Sequence, residues 1–187
     1  MIYLLACFSF FLGSLPSGYW IVKFKKGKDI RTLGSLNTGA TNVRRVLGKK
    51  FGFLVLILDA LKGVIPLVLC EMILPKENLV EVQLICGSLS ILGHVYSPFL
   101  SFKGGKGVAT AFGVFLYMSP YSCLLAVVIF FVCYKVSGFV SVGSVIGAIS
   151  LPCIYTILNR EKIFQINLDE ISVLSVMCVA SVLIFIR

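Results

Sequence analysis

An all-α integral membrane protein is predicted by three observations. Hydrophobic residues make up 58% of the 187 residues, charged residues only 13%, and the apolar residues fall in long runs separated by short polar islands. So few polar side chains cannot cover a soluble globule of this size. Counting every hydrophobic run gives about seven transmembrane helices in one polytopic domain, residues 1–187, with five spans plus a re-entrant unit as the alternative. The net charge of +9 comes with no helix-turn-helix pattern and no aromatic-studded basic face, so nucleic acid is excluded as a partner and the charge is read as a record of orientation in the bilayer.

The first run, Ile2 to Val22, is interrupted by Gly13-Ser14-Leu15-Pro16-Ser17-Gly18. That interruption predicts a kink near Pro16 and a small-residue surface that a neighbouring helix can approach closely. The basic residues follow this run rather than lead it, so it is expected to stay as an anchor and not to be cleaved. From Lys23 to Lys50 the chain carries nine basic residues against one acid, Asp29. The positive-inside rule makes this loop cytoplasmic and puts the N-terminus outside.

Phe51 to Leu74 is long enough to span, yet it contains Asp59, Lys62 and Pro66. Asp59 and Lys62 share one helix face and neutralise each other, either as a structural pair or as support behind the preceding polar island. Pro75 to Asn78 turns outside. Leu79 to Leu100 returns to the cytoplasm, ends in Gly93-His94-Val95-Tyr96-Ser97-Pro98, and leads into Phe102-Lys103-Gly104-Gly105-Lys106-Gly107-Val108-Ala109-Thr110. Val108 to Met118 is short for a crossing and either spans or re-enters; Tyr121 to Val136, Gly138 to Leu158 and Ile171 to Ile186 complete the set, with the C-terminus cytoplasmic. In this arrangement thirteen basic residues, Arg187 among them, lie inside and three outside, with Lys62 in a helix. The seven cysteines sit in apolar runs without a CxxC pair, as small buried hydrophobes; no metal and no cofactor is expected.

Two polar islands, in loops 23–50 and 101–107, therefore share the cytoplasmic face. The first, Gly34-Ser35-Leu36-Asn37-Thr38-Gly39-Ala40-Thr41-Asn42-Val43-Arg44-Arg45, offers inward-turning N–H groups, neutral hydrogen-bonding side chains and fixed positive charge. The second puts glycines and Lys106 immediately before a helix-forming run, where an anion is favoured. It is not a Walker A loop, because Gly rather than Ser or Thr follows the lysine. Together they suit a phosphate headgroup with an acyl tail reaching into the bilayer. An enzyme is favoured over a transporter of a small anionic metabolite, since the polar residues cluster at one face and no inverted repeat is visible.

These residues, with Gly13-Ser14-Leu15-Pro16 and Asp59-Ala60-Leu61-Lys62-Gly63, resemble the bacterial acyl-phosphate:glycerol-3-phosphate acyltransferases. The resemblance implies transfer of a fatty acyl group from acyl-phosphate to the 1-hydroxyl of glycerol 3-phosphate, giving lysophosphatidate and phosphate in phospholipid synthesis at the bacterial inner membrane. It also suggests, as a partner, the soluble enzyme that makes acyl-phosphate. Ser35, Arg45 and Lys106 are the expected catalytic residues; Asn37, Thr41, Asn42, His94, Gly104, Gly105 and Gly107 are expected to bind substrate. Arg45, Lys106 and loop N–H groups are the donors available to a tetrahedral oxyanion. His94 is the single histidine, with no acid close behind it, and is read as either a structural hydrogen-bonded group or a catalytic one. The departing phosphate is an alternative proton acceptor. Relatives usually carry His and Asn in a short basic segment beyond the last helix; these have no match within the 187 residues, which leads to an expectation of slow turnover with binding retained.

Overall fold

A computed structural model describes residues 1–165 and 167–186. Arg187, counted above among the inner cations, lies outside the described residues. In chain order the helices are α1 (Ile2–Ser14), α2 (Ser17–Lys26), α3 (Ala40–Leu47), α4 (Lys49–Ile73), α5 (Leu79–Val95), α6 (Val108–Met118), α7 (Pro120–Ser137), α8 (Val140–Leu158), α9 (Arg160–Phe164) and α10 (Leu168–Ile186). No strand occurs among the described residues. Six segments are long and apolar enough to cross a membrane, with α1 and α2 counted together as one; the seventh expected segment is present as α6 but is only eleven residues long. At about 1.5 Å per residue that is roughly 17 Å, short of a hydrocarbon core. The protein is a multi-pass membrane protein built wholly from helices.

The expected kink is a complete break. α1 stops at Ser14 and α2 restarts at Ser17 after Pro16, which has no N–H to continue the ladder. A break inside a membrane span frees carbonyls that no water can satisfy. Here Ser97 Oγ donates to Ser14 O at 2.6 Å, and the Lys62 ammonium donates to Leu15 O. The break is thereby fastened to α4 and to the end of α5.

Small residues bring the central helices together. At Gly13 and Gly113 an added methyl would overlap the Ser90 and Ala60 backbones respectively, so α1 lies directly on α5 and α6 directly on α4. This closeness explains how a helix as short as α6 is accommodated: Thr110, Ala111, Gly113, Val114 and Phe115 are all buried against the long helices. The core continues through Leu67, Leu84, Ile91 and Met177, where α10 closes against α5 and α8. Ser181 Oγ reaches across to Ala148 O at 2.6 Å.

Two expectations are corrected. Not every cysteine is buried: Cys70, Cys86 and Cys123 are, but Cys7, Cys153 and Cys178 lie on the apolar outer surface. The first island is also not a loop throughout, since its second half forms α3. Val43, fully buried, packs there with Val22, Ile30 and Val55 and sets one face of α3 against α2 and α4.

Candidate active site

The first island is shaped from within by two side chains. Asn42, only 1% exposed, accepts from Ser35 N at 2.8 Å through Oδ1 and donates through Nδ2 to Leu33 O at 2.9 Å and Asn37 O at 2.8 Å. Asn37 Oδ1 in turn accepts from Gly39 N at 2.9 Å, turning the chain into α3. Expected to bind substrate, both asparagines spend these groups on the loop itself. Thr41 is half-buried in the first turn of α3. Arg45, expected in a loop, projects from the last turn of that helix and is exposed beside Arg44; Ser35 is exposed as well.

The second island doubles back along the end of α5. Gly104 N donates to Val95 O and Gly105 N to His94 O, each at 3.1 Å, which satisfies carbonyls that the helix terminus leaves open. Gly107 then takes φ +79°, a left-handed value suited to glycine, and starts α6 without a side-chain cap. The N–H groups of the first turn of α6 therefore face the loop beside Lys106, which is half-buried. Among the described residues no carboxylate pairs with Arg44, Arg45, Lys103 or Lys106. These cations are available to an external anion.

Two contacts join the islands, and a third ties α2 to the first of them. Arg31 forks onto Asp29, with Nε donating at 3.1 Å and Nη2 at 2.7 Å, while its Nη1 donates to Leu100 O at 3.2 Å. The hydrogen bond from Arg31 holds the Asp29 carboxyl below its usual range. Gly18 of α2 lies against Thr38 O, and Gly105 is so close to both His94 Nε2 and Thr38 Oγ1 that a side chain there would crowd the two. Every non-glycine residue with positive φ among the described residues, Leu36, Ser101 and Phe102, belongs to one island or the other. A left-handed residue costs about 1 to 2 kcal/mol, so the backbone strain among the described residues is concentrated in these two loops.

Below the loops lies a polar floor. Asp59 Oδ1 is 2.6 Å from Lys62 Nζ and 4.0 Å from His94 Nδ1; Thr110 Oγ1 is 3.2 Å from the same ring nitrogen. Asp59, Lys62, His94, Ser97, Thr38, Gly104 and Gly105 line a cavity of about 10 Å³, room for one water. Ser35, Arg45 and Lys106 are not among the residues that line it. The sequence showed the Asp59–Lys62 pair but not that it reaches the break at Leu15 and the ring of His94. Thr38 was expected only as one of the first island's hydrogen-bonding groups, and Arg31, Ser97 and Thr110 were missed as site-building residues. For Arg31 the signal was Asp29-x-Arg31, the one acid in a basic stretch; Thr38, Ser97 and Thr110 lie within the polar motifs themselves.

Comparison with known proteins identifies the family. Residues 3–187 match the profile of the family described as Glycerol-3-phosphate acyltransferase. A glycerol-3-phosphate acyltransferase of Leptospira borgpetersenii serovar Hardjo-bovis (strain JB197) is 52% identical over 151 residues, covering 80% of this chain and 68% of the relative. One of Fusobacterium nucleatum is 46% identical over 164 residues, 87% of this chain and 82% of the relative. Two crystal structures of PlsY (YgiH), an integral membrane glycerol 3-phosphate acyltransferase, superpose on the whole chain and on 87% of their own. The glycerol 3-phosphate form has a TM-score of 0.87 at 37% identity, and the lysophosphatidic acid form 0.83 at 35%. With a family profile matched from residue 3 to residue 187 and the fold shared throughout, the chain belongs to the glycerol-3-phosphate acyltransferase family and is a membrane-embedded acyltransferase.

Proposed function

We propose that this chain transfers a fatty acyl group from acyl-phosphate to the 1-hydroxyl of glycerol 3-phosphate, at the cytoplasmic face of the bacterial inner membrane, as a step in phospholipid synthesis. The observation that carries the reading is the meeting of two cation-bearing islands at one end of a helical bundle whose outer surface is apolar. The solved relatives are a glycerol 3-phosphate form and a lysophosphatidic acid form, the acceptor and the product of this reaction.

In this reading Ser35 and Arg45 on one side, and Lys106 with the N-terminal N–H groups of α6 on the other, grip the two phosphates. Thr41 and the Gly104–Gly107 backbone complete the cradle, and Asn37 and Asn42 hold it in shape. The acceptor hydroxyl attacks the acyl carbonyl carbon; the tetrahedral oxyanion is met by Arg45 or Lys106, and the bond from carbon to the phosphate oxygen breaks. The proton goes to the departing phosphate, which leaves as hydrogen phosphate. Holding donor and acceptor side by side then supplies much of the rate. Acyl-phosphate arrives from a soluble enzyme at the same face, and its chain lies along the apolar helices.

Two preformed phosphate positions predict that inorganic phosphate inhibits competitively with glycerol 3-phosphate. Initial rates of radiolabelled lysophosphatidate formation at rising phosphate test this. Inhibition that more acceptor cannot relieve would argue against an acceptor site built from these loops.

A further inference from the structure

The Asp59–Lys62 pair and His94 are polar groups in a membrane interior, where such groups are expensive and hold a function. The reaction above uses none of them directly. His94 is 10% exposed at its side chain, and each end of its ring meets a different part of the fold. Nδ1 lies 3.2 Å from Thr110 Oγ1, in the first turn of α6, and 4.0 Å from the Asp59 carboxylate on α4. Nε2 lies against the α-carbon of Gly105, so closely that a methyl there would overlap it. The main chain of the same histidine accepts Gly105 N at 3.1 Å. His94 therefore clamps one residue of the glycine loop twice, by its carbonyl and by its ring. Thr38 Oγ1, from the first island, stands 3.2 Å from where that methyl would be.

Behind the ring, Asp59 is fixed by Lys62 at 2.6 Å, and Lys62 by the Leu15 carbonyl at the break between α1 and α2. Gly18, a turn beyond that break, abuts Thr38 O. The chain of contacts closes on itself: first island, α2, the break, Lys62, Asp59, His94, second island. Such a closed chain fixes how far apart the two islands stand.

We infer that His94 is a positioning residue for the acceptor: its ring, steered by Asp59 and Thr110, sets where Gly105 lies and so the width of the cleft between Thr38 and the Gly104–Lys106 backbone. This rests on the acyl-transfer reading above and adds to it a role that touches neither the reacting atoms nor the acyl donor. A core histidine that merely filled space would affect stability and both substrates alike; a positioning residue affects the acceptor.

Steady-state kinetics and melting temperature of the purified full chain in detergent test it, with wild type, His94→Asn, His94→Gln, Gly105→Ala and the double variant His94→Asn/Gly105→Ala. His94→Asn keeps a polar atom near Thr110 and removes Nε2. It is expected to raise KM for glycerol 3-phosphate on the order of 10- to 100-fold, with KM for acyl-phosphate unmoved. His94→Gln, which can place an amide where Nε2 stood, recovers most of the loss. Gly105→Ala also raises the acceptor KM, but in the double variant the methyl occupies the space that Nε2 left, so the combined effect is smaller than the product of the two. An unchanged acceptor KM in His94→Asn, independent effects in the double variant, or an equal rise for both substrates with a lowered melting temperature would overturn the inference. A wild-type protein that does not acylate glycerol 3-phosphate at all overturns the acyl-transfer reading, and this one with it.

Discussion

Ser35, Arg45 and Lys106 share one property: they are polar, not buried, and have no carboxylate partner among the described residues. Replacing any of them by alanine removes no internal contact on which the fold depends. Each substitution is expected to lower kcat/KM by roughly 10- to 150-fold, the worth of about 1.5 to 3 kcal/mol for a hydrogen bond to a charged group, with the melting temperature unchanged. Wild-type kinetics for Arg45→Ala would remove that residue from the site. Residue chemistry was legible in the sequence; its employment was less so. An asparagine in a polar island offers the same atoms to a phosphate as to its own backbone, and only the folded loop shows Asn42 committed to Ser35, Leu33 and Asn37. Conversely Asp59 and Lys62 were readable as a pair from their spacing, because a helix fixes which residues share a face.

Among the elements, the long spans could be read because twenty or so apolar residues admit few other structures. Two short helices were harder. The eight residues of α3 are half polar, and their helical face becomes apolar only when Val43 meets Val22, Ile30 and Val55, partners from three other segments. The eleven residues of α6 left two readings open, since length alone cannot say whether neighbours cover the remainder. The neighbour is α4, reached through Gly113, where a side chain would overlap Ala60 O. Gly113→Ala is expected to push α6 off α4 and destabilise the bundle by about 1 to 3 kcal/mol, the usual cost of overpacking. A lowered melting temperature in detergent checks it. A variant that melts with wild type would mean that α6 is held by something other than this close approach.

For the molecule as a whole, the proposed orientation follows from charge. The loop from Lys23 to Lys50 holds nine basic residues against one acid, and the second island adds Lys103 and Lys106. The fold brings both to the same end through Arg31 and Leu100, so one topological fact decides the side of the membrane for the entire site. A cysteine introduced at Lys28 should resist an impermeant thiol reagent in intact cells and react after permeabilisation; labelling in intact cells would invert the topology. The central claim is that the loops accept two phosphates, one on the acceptor and one on the acyl donor, and it is tested most directly by the choice of donor. Purified protein is given radiolabelled glycerol 3-phosphate with acyl-phosphate or with acyl-CoA in separate reactions. Labelled lysophosphatidate from acyl-phosphate alone is the predicted result, whereas product from acyl-CoA, or from neither donor, would contradict the account.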